Sequence, residues 1–159
     1  MTAYFDPDAC NLDDFKVLTQ QKLTTKDVPL AADIQKNAPI YDVSKLADHL
    51  GDPALRRSLM AEWAQGLRTG SGIVVLQNAY ADTSAIDAAT QIYKDVIAAE
   101  KLANGSAADH FAAAGNNDRI WNSLQKLCLA DPVTFARYFA NPAIAAVCEA
   151  WLGPNYQMT

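Results

Sequence analysis

The chain has 159 residues, half of them apolar, which suffices for one buried core and is short for two ordinary domains. Eighteen acidic side chains against thirteen Lys and Arg leave a formal charge of -5, which argues against nonspecific attraction to nucleic acid or an anionic membrane but still allows one local cation to bind a small anion. Three scattered cysteines, Cys10, Cys128 and Cys148, form no CxxC pair; together with the absence of a signal-like start and of any run near the roughly 20 apolar residues of a membrane span, they predict a reducing, cytoplasmic setting.

Residues 1–37 carry Asp6, Asp8, Asp13 and Asp14 and a polar TQQKLTTKD stretch with little periodicity, and read as an extended leader. Asp42 and Ser44 can cap a short helix that reaches Leu50 and stops at Gly51. Asp52-Pro53 is an N-cap followed by proline at the first helical position. Leu55, Leu59, Trp63 and Leu67 then recur every four residues, with Arg56, Glu62 and Arg68 off that line, so the spacing predicts an amphipathic helix ending near Gly70. Gly72-Ile73-Val74-Val75-Leu76-Gln77 is a continuous β-branched run and predicts a strand covered on both faces. Its partners are either short, weakly signalled strands in this chain or lie beyond Thr159.

Thr83 or Ser84 can cap the next helix, whose stripe is Ile86, Ala89, Tyr93, Val96 and Ile97. Gly105 and Ser106 break it, and residues 109–118 mix helical alanines with loop-forming Gly115, Asn116 and Asn117. Asp118 is expected to start a helix carrying Ile120, Leu124, Leu127 and Cys128. Asp131-Pro132 and Asn141-Pro142 open two more, the second closed by Gly153-Pro154. Tyr156-Gln157-Met158-Thr159 reads as a strand start.

Chemistry is sparse. His49 and His110 are the only histidines, and neither begins a His-x-Asp or His-x-Glu pair of the kind that builds an iron facial triad with a distant imidazole; both read as capping or surface residues. No HExxH, EF-hand loop, zinc-type cysteine cluster or GxSxG elbow occurs. Thr69-Gly70-Ser71-Gly72 precedes a strand, whereas phosphate-binding glycine loops follow one, so it reads as a turn. Phe135, Phe139 and Trp151 fall at helical spacing and read as core.

Gly72 to Tyr80 followed by the helix at Ala85 resembles the glycine, hydrophobic strand, turn, helix opening of the phytanoyl-CoA dioxygenase family. Asp118-Arg119-Ile120-Trp121, the stretch from Phe139 through Asn141-Pro142 to Ala150, and Leu152-Gly153-Pro154-Asn155-Tyr156 are similar to what precedes that family's catalytic core. The resemblance covers roughly residues 66 to 159. It implies an α+β fold: the helix-rich amino-terminal part of a double-stranded β-helix (jelly-roll, cupin-like) oxygenase, with residues 38–159 forming a helical support layer and first strands and most of the β core missing. It also implies iron(II)- and 2-oxoglutarate-dependent hydroxylation of a small organic substrate by the complete protein.

The family's His-x-Asp, distal histidine and oxoacid-binding arginine all follow the matched segment, so none maps onto this chain. No cofactor is expected for the chain alone. The residues expected to border a substrate pocket are Asn116, Asn117, Arg119, Trp121, Tyr156 and Gln157, where amides offer donor and acceptor and Arg119 can hold a carboxylate or phosphate or pair with Asp118. Self-association or a complementing chain at the incomplete core is a further expectation. The alternatives are a degenerate, non-catalytic relative and a helical partner-binding module.

Overall fold

A computed structural model describes residues 7–104 and 118–158. The fold is mixed α+β and dominated by helix, with one small, open three-stranded sheet. Two compact units divide the chain after Gln77.

In the first unit the stretch that reads as an extended leader contains helix α1 (Leu12–Thr19), capped by the Asn11 side chain and without a buried residue, and strand β1 (Asp33–Gln35). β1 turns into β2 (Ala38–Asp42) through Lys36 and Asn37, both with positive φ (50° and 68°). Left-handed values at both central residues are what a two-residue hairpin demands. β1 and β2 pair antiparallel, with Gln35 opposite Ala38. Asp42 then caps a 3-10 turn over Val43–Lys45, followed by α2 (Ala47–Gly51).

Helix α3 (Pro53–Arg68) starts as expected: Asp52 accepts the amides of Ala54 and Leu55, with proline at the first position. Leu59 and Trp63 are fully buried, and Trp63 meets the Tyr41 ring edge-on at 5.7 Å. Strand β3 (Val75–Gln77) lies parallel to β2, with Ile40 opposite Val75. The β-branched run therefore pairs inside the chain with a weakly signalled strand. The expectation of a strand covered on both faces needs correction: only its last part is strand, Val75 and Leu76 are half-buried, and Ile73 is 47% exposed.

The second unit holds α4 (Ser84–Asn104), α5 (Ser123–Ala130), α6 (Pro132–Phe139) and α7 (Pro142–Leu152). Helices α4, α5 and α6 pack on one another. Asp131 and Asn141 cap α6 and α7 through two amides each, and Gly153 ends α7 at φ 90°. The helix expected from Asp118 opens instead at Ser123, after Asn122 in the left-handed region; Asp118 is ion-paired with Lys101 of α4, so its carboxylate ties the approach to α5 onto α4 rather than capping a helix. Residues 156–158 form no strand, correcting the expected strand start at Tyr156. A jelly-roll core is not present among the described residues, whose only sheet is β1-β2-β3.

Candidate functional site

Of the residues expected to border a pocket, Asn116 and Asn117 lie outside the described residues, as does His110. Arg119 and Trp121 sit in the irregular approach to α5, exposed, Trp121 to 70%. Tyr156, half-buried, and exposed Gln157 follow α7. None of these four lines either of the cavities described below.

A hydrogen-bonded polar group in the first unit centres on half-buried Glu62. Its carboxylate accepts the Tyr41 hydroxyl at 2.8 Å and the Leu30 amide at 3.2 and 3.3 Å. One side chain of α3 thus ties down β2 and the loop ahead of β1. Burial pushes the Glu62 carboxyl up, against the opposing pull of the Tyr41 and Leu30 hydrogen bonds and of positive charge on His49. Burial likewise raises the Tyr41 phenol, reinforced by the hydrogen bond to Glu62 and by its charge. His49 Nδ1 and Trp63 Nε1 are buried without a hydrogen-bond partner. The four-residue spacing of α3 puts Glu62 off the apolar line, and its inward contacts correct that expectation. The missed signal is its position three residues after Leu59, a spacing that places it on the same helical face.

In the second unit Asn141, 6% exposed, caps α7 and donates from Nδ2 to the Ala79 carbonyl at 2.7 Å. Close by in sequence, the Tyr80 hydroxyl donates to the Tyr138 carbonyl at 2.8 Å. Tyr80, Asp82, Ser84 and Arg137 line an open depression of about 480 Å³. Asp82 is held below the usual carboxylate range by the hydroxyl and amide of Ser84, with a smaller contribution from Arg137.

A facial iron site needs two imidazoles and a carboxylate converging on one point. Among the described residues no group of three or more His, Cys, Asp or Glu is gathered to hold a metal ion, and His49 is the sole described histidine. These residues do not fit a resident iron. The described cysteines, exposed Cys10 and half-buried Cys128 and Cys148, are all free. No described helix is long and apolar enough to cross a membrane.

No protein-family model, curated protein or solved structure matches the chain.

Proposed function

We propose that the chain forms the helical support layer and opening strands of an iron(II)- and 2-oxoglutarate-dependent dioxygenase of the phytanoyl-CoA dioxygenase type, and that the iron ligands are supplied by sequence outside it. The observation that carries this reading is β3. Val75–Gln77, the end of the Gly72 to Gln77 run that bears the family resemblance, pairs with β2 on one side and has no strand partner on the other among the described residues. An unpaired strand edge of this kind suits continuation of a sheet. The substrate class is a small organic molecule, with Asn116, Asn117, Arg119, Trp121, Tyr156 and Gln157 as the contributions of this chain to a pocket wall.

Anaerobic calorimetry with iron(II) and 2-oxoglutarate tests the reading on two proteins: the 159-residue chain and a version continued through the coding sequence that follows Thr159. One-to-one iron binding that depends on the oxoacid is expected only in the continued protein. Absence of that binding in both, or its presence in the short chain with loss on His110→Ala, overturns the proposal.

A second reading is favoured by the exposure of Trp121, Trp151 and Leu152, at 70%, 53% and 61%. Exposed apolar side chains that form one continuous patch mark surfaces that meet another protein, as a non-catalytic relative would require. Metal-independent complex formation by the continued chain would favour it.

A further inference from the structure

We propose that the first unit carries a binding site for a small aliphatic zwitterion of the amino-acid type, in the cavity beside the carboxyl end of α3. This inference is independent of the oxygenase reading. The cavity measures about 260 Å³ and lies between the loop at residues 21–28, Asn37, and α3 with its following turn. At about 30 Å³ for each water-sized group, it accommodates roughly eight or nine non-hydrogen atoms.

Gly66 faces this space. It is buried within α3, yet a Cβ built on it would meet nothing within 4 Å. Glycine inside a helix costs about 1 kcal/mol relative to alanine, and here no neighbour forbids the alanine. What glycine gives instead is a hollow against the helix backbone, the kind of surface on which a ligand can approach the main chain. Val28, 2% exposed, and half-buried Leu23 add apolar wall to the same cavity.

The loop opposite is pinned before any ligand arrives. Asn37 Oδ1 accepts the Leu23 amide at 2.7 Å, and its Nδ2 donates to the Gln21 carbonyl at 3.1 Å. Asp27 is fixed by the hydroxyl and amide of Thr24 at 2.7 and 2.8 Å, which hold its carboxyl below the usual range and therefore ionised near neutrality. Preorganisation of this kind lowers the ordering cost of binding.

Charge decides the ligand class. Lys22 and Asp27, a cation and an anion, both line this cavity. An anion would be opposed by Asp27 and a cation by Lys22, whereas a molecule with both charges can face each with its opposite. The carbonyls of Gln65 and Gly66 at the end of α3 already accept from Thr69, Gly70 and Gly72, so Asp27 is left as the partner for the ligand's ammonium and Lys22 for its carboxylate. The aliphatic part then fills the hollow at Gly66.

The test is an amide-resolved NMR titration of the 159-residue protein with L-alanine, L-valine and L-proline, and with isovalerate and isobutylamine as analogues lacking one charge. Saturable shifts at Leu23, Gly66 and Gly70 are expected with at least one amino acid, about tenfold weaker with either analogue. Gly66→Leu should abolish them by filling the hollow. Lys22→Ala, at an exposed position, should weaken them about tenfold while leaving the remaining spectrum unchanged, and so provides the test if Gly66→Leu fails to fold. No saturable shift at ligand concentrations on the order of ten times a millimolar Kd overturns the proposal. So does equal response to the single-charge analogues, or full binding in folded Gly66→Leu or in Lys22→Ala.

Discussion

A carboxylate costs most where it is least hydrated, and Glu62 offsets that cost with two donors from different elements, the Tyr41 hydroxyl and the Leu30 amide. Removing the hydroxyl in Tyr41→Phe leaves the ring packed against Trp63 and deletes one charge-assisted bond, so a loss of about 1.5 to 3 kcal/mol is expected in urea unfolding. The raised Glu62 carboxyl has a definite sign in its linkage to pH. Its folded value lies above its unfolded value, so its contribution is most favourable below the ordinary carboxylate range and is lost as pH rises through the folded value. In a Glu62→Gln variant the side-chain carbonyl oxygen can still accept from both donors, but the group does not titrate. The stability of wild type relative to that variant should therefore fall between about pH 4.5 and neutrality; a constant difference in urea midpoint across that range would contradict the assignment. The sequence carries this network only as the three-residue step from Leu59 to Glu62, which the four-residue recurrence of Leu55, Leu59, Trp63 and Leu67 obscures by drawing the apolar line too narrowly. Leu55 is in fact 41% exposed, while Glu62 turns inward.

Helix starts are the most readable elements, for a local reason. Asp52-Pro53, Asp131-Pro132 and Asn141-Pro142 each combine a side-chain acceptor with a residue that has no amide to leave unsatisfied, and all three cap helices. Asp52→Ala removes both acceptor contacts at α3 and should cost about 1 kcal/mol, read as a shift in thermal midpoint. Asp118 misleads because the same carboxylate chemistry serves an ion pair to Lys101, a long-range fact that no local spacing contains. Strand β2 is hidden by Pro39, which sits in the middle strand of the sheet and is fully buried, a place where proline is normally avoided. The turn before it is legible only through its geometry. Lys36 holds a left-handed conformation that costs a side-chain-bearing residue about 1 kcal/mol, so Lys36→Gly should raise stability by up to about 1 kcal/mol in urea unfolding, with the hairpin register unchanged.

Across the whole chain, acidity and exposed apolar surface act in opposite directions on solubility. Leu12, Phe15, Val17 and Leu18 of α1 are all more than half exposed, as are Leu129, Val133, Trp151 and Leu152 of the second unit. At neutral pH the net charge of -5 provides repulsion between molecules, and at the sequence pI of about 4.8 that repulsion vanishes. Light scattering at fixed concentration should accordingly peak near the pI and fall toward pH 7; a flat profile would mean that these side chains are shielded from other molecules. Composition makes this balance readable from the outset, whereas the proposed pocket wall at Arg119, Trp121, Tyr156 and Gln157 comes from a resemblance whose remaining residues, Asn116 and Asn117, fall outside the described segments.

The sheet joins two pairings of different reach. β1 and β2 meet across two residues, while β2 and β3 become neighbours only after α2 and α3 have been traversed. A hairpin closes in roughly 1 to 10 μs, and bringing together ends separated by two helices carries a larger loss of chain entropy. The last strand should therefore join late, and unfolding intermediates of the first unit should release β3 while the Lys36–Asn37 hairpin persists. Pulsed hydrogen exchange would register this order as earlier protection of the β1–β2 amides than of the amides of Val75 to Gln77. The same lag exposes a β-branched segment to solvent during every folding event, so the time this protein spends unfinished is also the time in which that strand can pair with the wrong chain.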